Sequence, residues 1–175
     1  FCKAPAVLLC RKFLHMKTAI VYVSNHGATE QVARELSAKL HNSAVDLINL
    51  RENKTFSPDG YDCVVVGGSI HAGKIQRRIK DFCMNHTADL LRVKLGLFVC
   101  CMHTGEQAVE QFNQNFPELL RHHAATTKIV GGAFNFEKMN WFEKMIVRKV
   151  AGVTQSTSNI NQEAIEAMAS ELTQS

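Results

Sequence analysis

Thr18-Ala19-Ile20-Val21-Tyr22-Val23 runs without a break into Ser24-Asn25-His26-Gly27-Ala28-Thr29. The first six residues are apolar and mostly β-branched or aromatic, the signature of a buried strand. From Ala28 the pattern changes period. Val32, Leu36 and Leu40 recur at i+4, so Ala28–Leu40 predicts a helix with one apolar stripe. Between them Gly27 permits a tight turn and a close backbone approach. The segment is a strand, a short polar loop and a helix, and it sets the rhythm for the rest of the chain.

That rhythm repeats. Ala44–Asn49 predicts a second strand and Asp62–Gly67 a buried third, followed by a helix over Lys74–Asn85. Leu95–Cys101 predicts strand four, Glu106–Arg121 a helix, and Lys128–Phe134 strand five. Helices follow at Lys138–Ala151 and Asn161–Thr173. Parallel strands need crossover connections, so the alternation implies an α/β fold with a parallel sheet covered on both faces. The expected form is a doubly wound five-stranded sheet of order 2-1-3-4-5, helices on both faces. Such a sheet binds ligands beyond the carboxyl ends of its strands, where the order reverses between strands one and three. Three loops therefore carry the candidate site: Ser24–Thr29, Gly68–Lys74 and Met102–Glu106.

Composition sets the limits. With 175 residues, 46% apolar and 21% charged, the chain suits one globular domain. The longest apolar run, Leu95–Met102, is far too short to cross a bilayer, which takes ~20 residues. The formal charge of +4 includes Lys3, Arg11 and Lys12 in residues 1–15, where there is no acid. The other 160 residues carry seventeen bases against sixteen acids, which gives no support for a nucleic-acid partner. Residues 1–15 read as a non-native or upstream leader before Met16, with an amphipathic anchoring segment as the other reading, and residues 16–175 as one domain. Six cysteines form no C-x-x-C pair and no zinc-like cluster with histidine, so no metal site is expected. Cys63, Cys100 and Cys101 lie in apolar runs as small buried hydrophobes, which favours a reducing, cytoplasmic setting.

In the first loop, Ser24 and Thr29 offer hydroxyls and the helix start offers unpaired N–H groups with a favourable dipole. These make a phosphate cradle that needs no lysine. From the residues alone, an ordinary turn with Thr29 as the N-cap reads equally well. Gly68-Ser69-Ile70-His71-Ala72-Gly73-Lys74-Ile75 comes close to a nucleotide P-loop, but Ile75 stands where a magnesium-binding hydroxyl is required. No G-x-G-x-x-G follows a strand. Strand three ends in Gly67-Gly68-Ser69, without the aspartate of a phospho-acceptor receiver.

Ile20-Val21-Tyr22-Val23-Ser24, then Gly27, Thr29, Ala33 and Leu36, resembles the FMN-phosphate motif of flavodoxins at every defined position. The resemblance implies a flavodoxin-like fold with FMN as cofactor, its phosphate held by Ser24, Asn25, His26, Gly27, Ala28 and Thr29. Gly68, Ser69, Ile70, His71, Ala72 and Gly73, with Met102, His103, Thr104 and Gly105, become the candidate contacts of the other two loops. The Gly67–Lys74 segment, and Gly131-Gly132-Ala133-Phe134 with Trp141, Phe142 and Met145–Gly152, is similar to the menaquinone-dependent protoporphyrinogen IX dehydrogenases. This likeness spans roughly residues 16–173. It implies oxidation of a protoporphyrinogen-like small molecule, in haem biosynthesis, with electrons passed to a quinone. It names no catalytic side chain.

Two departures from that family stand out. The region after strand four is short and lacks the family's basic insertion, and the loops after strands three and four offer His71 and His103 in place of an aromatic. Either imidazole could stack on the flavin or tune it, or be a solvated loop residue. Lys74, Arg77, Arg78 and Lys80 form a basic cluster that would attract an anionic substrate or simply be a solvated helix face. The 138–151 helix carries Met139, Phe142, Ile146 and Val150 on one face, bordered by Lys144, Arg148 and Lys149. It reads as core packing or as a peripheral membrane contact that reaches a quinone. An electron-transfer protein of the flavodoxin type, with a redox protein as partner, is the alternative to the enzyme.

Overall fold

The computed structural model describes residues 16–24, 27–41, 43–134 and 157–174. The expected leader (1–15), Asn25, His26 and the expected 138–151 helix lie outside these residues. The described elements are β1 (Met16–Tyr22), α1 (Ala28–Lys39), β2 (Ser43–Asn49), β3 (Cys63–His71) and β4 (Lys74–Ile75). Next come α2 (Arg77–Asn85), α3 (Thr87–Leu90), β5 (Lys94–Cys100), α4 (Gly105–Asn115) and α5 (Glu118–His123). The chain continues with β6 (Thr126–Ile129), β7 (Gly131–Phe134), β8 (Thr157–Ile160) and a C-terminal helix, α6 (Gln162–Thr173).

The sheet runs β2-β1-β3-β5-β6, with every neighbouring pair parallel. Leaving out the two-residue β4, this is the expected 2-1-3-4-5 order. Successive strand residues face opposite ways, and two cores follow from that alternation. Ala19, Val21, Val64, Val66, Leu97 and Val99 pack with Ile79, Phe82, Phe112 and Leu120 from α2, α4 and α5. Ile20, Tyr22, Val65 and Phe98 pack on the other face with Val32 and Leu36 of α1 and Ile165, Met168 and Leu172 of α6. The predicted α1 stripe is the buried one. Cys63, Cys83, Cys100 and Cys101 are free and buried, as expected for three of them.

Three expectations need correction. The single helix over Glu106–Arg121 is two, because Pro117 forces Phe116 into an extended conformation (φ −111°, ψ 140°) that ends α4. The single strand over Lys128–Phe134 is also two. Gly131 (φ +73°) turns the chain out of the main sheet, and β7 pairs antiparallel with β8 instead. A side chain at Gly131 would put its Cβ 1.9 Å from the Asn159 carbonyl oxygen, so glycine is required where the ribbon closes. Thirdly, the expected loop over Gly68–Lys74 is mostly strand. β3 runs on to His71 and turns back into β4, and the helix begins only at Arg77.

Candidate cofactor site

At the carboxyl end of β1, the Gly27 N–H donates to the Ser24 hydroxyl oxygen at 3.0 Å. Gly27 takes a left-handed conformation (φ 95°, ψ −18°) as the N-cap of α1, and no side-chain hydrogen bond caps the helix. The first intrahelical bond runs from the Gln31 N–H to the Gly27 carbonyl at 2.8 Å. The N–H groups of the first turn therefore keep the orientation and partial positive charge that suit a phosphate.

Thr29 is not the N-cap of α1, a position taken by Gly27. It is fully buried and caps nothing; its hydroxyl meets the Ser69 hydroxyl at 2.5 Å. The buried Cys100 thiol lies next to the pair: burial pushes its pKa up to about 12, and the two hydroxyls act against that rise. One small polar cluster thus ties the start of α1 to the ends of β3 and β5. The cap reading of Thr29 fails because its side chain turns inward to that cluster.

The second predicted loop is a hairpin. Ile70 pairs with Ile75 and His71 with Lys74 across a turn in which both central residues, Ala72 (φ 48°) and Gly73 (φ 77°), are left-handed. This matches the type I′ turn, whose twist suits a two-residue hairpin. Gln76 braces its base. Its side-chain oxygen accepts from the Ser69 N–H at 2.9 Å, and its amide nitrogen donates to the Val23 carbonyl at 3.5 Å. Gly68 is part of this fit, since a Cβ there would lie 2.6 Å from Gln76 Oε1.

The third loop leaves β5 through Cys101, Met102, His103 and Thr104 and enters α4 at Gly105 (φ 60°). Met102 and His103 are exposed, and Met102 covers Gly132, where a Cβ would meet its sulfur at 2.5 Å. A cleft opens on the outer side of this loop, lined by Met102, Glu106, Val109, Gly132, Ile160 and Glu163 among others. It takes in loop three but no residue of loops one and two. The strand ends and the α1 N-terminus, which carry the anion-binding geometry, form the candidate cofactor site, separate from that cleft.

Of the predicted site residues, Ser24, Gly27, Ala28, Thr29, Gly68–Gly73 and Met102–Gly105 all lie at the carboxyl edge of β1, β3 and β5. His71 is exposed near the hairpin tip. Of the basic cluster, Arg77 is paired with Asp81 at 3.4 Å, and Arg78 donates to the carbonyls of Leu50 (2.9 Å) and Arg51 (3.3 Å). Arg51, absent from the sequence reading, donates to the Ser24 carbonyl at 3.3 Å and brings a cation to loop one. Gln76, Gln111 and Asn115 were missed as well, because their helical or loop context in the sequence says nothing of long-range bonds. Among the described residues no group of side chains is arranged to hold a metal ion.

A flavodoxin domain family matches residues 19–161. No curated protein matches the chain. Among solved structures it is similar to a flavodoxin from Streptococcus pneumonia TIGR4 (17% identity, TM-score 0.50, covering 89% of this chain and 97% of that one). Two-electron reduced Megasphaera elsdenii flavodoxin is similar at 18% identity and TM-score 0.52, over 87% and 98% of the two chains. A flavodoxin, WrbA-like protein from Agrobacterium tumefaciens is similar at 16% identity and TM-score 0.51, over 90% and 91%. These likenesses bear on the fold. The uncapped α1 N-terminus, left-handed Gly27, Ser24 and the Arg51 cation fit a flavin phosphate, and FMN is the cofactor of such domains. With the family match spanning most of its length, the chain belongs to the flavodoxin domain family and is an FMN-binding domain.

Proposed function

We propose that this protein is an FMN-dependent oxidoreductase of the protoporphyrinogen dehydrogenase type, oxidising an anionic, porphyrinogen-like small molecule and delivering electrons to a quinone. The observation that carries the reading is a basic flank on one side of the cofactor edge. Arg51 reaches the Ser24 carbonyl, Arg78 reaches the Leu50 and Arg51 carbonyls, and Lys74 is exposed in the β3–β4 hairpin. Carboxylates of a porphyrinogen would be drawn to that flank. The sequence likeness in the Gly67–Lys74 and Gly131–Phe134 blocks supports the same choice.

When bound, FMN supplies reversible uptake of a hydride equivalent and release of single electrons. The chain's residues orient it. The first turn of α1, with Ser24 and Gly27, holds the phosphate end. The Thr29–Ser69–Cys100 cluster fixes that cradle to the two neighbouring strand ends. The hairpin and loop three flank the remainder of the crevice. Work at the cytoplasmic face of a membrane would suit a quinone acceptor. Among the described residues no helix is long and apolar enough to cross a membrane, and the 138–151 stretch proposed for peripheral contact lies outside them.

Anaerobic mixing of the FMN-loaded protein with protoporphyrinogen, then with a menaquinone analogue, tests the proposal. Bleaching of the flavin by the porphyrinogen and its return with the quinone are expected. Bleaching only through a reductase protein, never by porphyrinogen, would sink the enzyme reading in favour of the electron carrier.

A further inference from the structure

The hairpin of β3 and β4 has only two rungs and a turn with a non-glycine residue in the left-handed region, so its own ladder holds it weakly. Gln76 braces its base, and its turn is held from outside by Asn115 at the end of α4. The Asn115 Oδ1 accepts from the Ile75 N–H at 2.8 Å, and its Nδ2 donates to the Gly73 carbonyl at 3.0 Å. The same Nδ2 donates to the Gln111 carbonyl at 2.7 Å, which locks the side chain's direction. One helical turn earlier Gln111 performs the matching task on the other loop, accepting at Oε1 from the Cys101 thiol at 3.1 Å where loop three leaves β5. Between the two, Phe112 anchors α4 in the core against Phe116, with ring centroids 5.1 Å apart.

We propose that Gln111 and Asn115 are positioning residues for the flavin ring, holding loop three and the β3–β4 hairpin from one rigid helix and thereby setting the width of the slot between them. The inference rests on the FMN reading above and deepens it. Phosphate binding belongs to loop one, which α4 does not grip. Loosening the α4 contacts therefore weakens attachment of the ring and leaves the phosphate end intact.

The test titrates FMN, riboflavin and inorganic phosphate (as a competitor of FMN) against the wild-type chain, Asn115→Ala and Gln111→Leu. Asn115→Ala, which removes both bonds to the hairpin, is expected to weaken FMN and riboflavin by the same factor, about tenfold, and Gln111→Leu, which removes the single bond to loop three, by a smaller common factor of about threefold. The inhibition constant of phosphate stays unchanged. Asn115→Asp keeps the bond from Ile75 but loses both donor bonds, and serves the same purpose if the alanine variant fails to fold. Thr87→Ala, which removes the bond to the Cys83 carbonyl far from the crevice, controls for general destabilisation and leaves both flavin affinities unchanged. Folded Asn115 and Gln111 variants that bind both flavins as tightly as the wild type, or that lose phosphate and flavin together, overturn the inference. A wild type that binds neither flavin brings down the FMN reading, and this inference with it.

Discussion

Gly67 sits in the middle of the sheet, paired with Tyr22 of β1 and Phe98 of β5, two residues before Ser69 enters the candidate site. The Phe98 ring lies over it. A Cβ added at Gly67 would fall 2.0 Å from Phe98 Cζ, 2.1 Å from Cε1 and 2.5 Å from Cε2. Ordinary contact begins near 3.4 Å, so the ring would have to retreat by about 1.5 Å into its surroundings. It has nowhere to go. Phe98 is fully buried, and its cluster includes Ile20, Tyr22, Val65, Met168 and Leu172. Close-packed interiors yield little, so Gly67→Ala should cost about 3 kcal/mol, the upper end for overpacking by one methyl group. In urea the midpoint should fall by about 1.5 M if m is about 2 kcal/mol/M. Phe98→Leu alone should cost about 1–2 kcal/mol through the space it leaves. Combined, the two should recover about 2 kcal/mol of their summed cost, because leucine vacates the volume the new methyl needs. Equilibrium urea unfolding of the four proteins measures the cycle. A Gly67→Ala protein within 0.5 kcal/mol of the wild type, or strictly additive losses, would refute the packing of Phe98 on Gly67.

Thr29→Val removes the hydroxyl facing Ser69 while nearly keeping its shape, and should destabilise the flavin-free protein by about 1 kcal/mol, lowering the thermal midpoint by about 2–4 °C. No change without flavin, with loss of FMN affinity alone, would mean that Thr29 serves the phosphate and not the Ser69–Cys100 cluster. Ala72→Asn gives the hairpin turn the Asn-Gly pair that a type I′ geometry favours, and should raise stability by about 0.5–1 kcal/mol in the same urea assay. Glu171, on α6, accepts from Lys128 of β6 at 2.6 Å, and that bond holds its carboxyl below the ordinary carboxylate value. Its stabilisation is therefore present above the unfolded pKa and lost as pH falls through the lower folded one. Glu171→Gln should cost up to about 1 kcal/mol at pH 7 and nothing once the wild-type carboxyl is protonated, as unfolding measured against pH would show.

The strand order, the two buried faces and the loops at the carboxyl edge were legible because they follow from periodicity. The apolar runs at 18–23, 62–67 and 95–101 could be buried only in a covered sheet, and Val32, Leu36 and Leu40 could form only one stripe. The β3–β4 hairpin was not legible. Its turn is Ala72-Gly73, and alanine gives no signal for a positive φ where asparagine would have. Pro117 did announce a break, yet the apolar spacing of Val109, Phe112, Phe116 and Leu120 carries through it, so the two helices read as one. Gly131-Gly132 looked like the interior of a strand, because the need for glycine comes from the Asn159 carbonyl of a segment far along the chain. The bonds of Thr29, Gln76, Gln111 and Asn115 were hidden as well. Those of Thr29 and Asn115 and the Gln76–Val23 bond join residues brought together by the crossovers, while the Gln76–Ser69 and Gln111–Cys101 bonds depend on how the intervening loop turns.

Reconstitution reads directly whether the carboxyl edge of β1, β3 and β5 holds FMN. The purified chain is incubated with FMN, freed of excess by gel filtration, and read by visible absorption against protein concentration. A yellow protein that retains about one FMN per chain and releases it on denaturation is expected. A folded protein that emerges colourless from the column would contradict FMN binding at that edge.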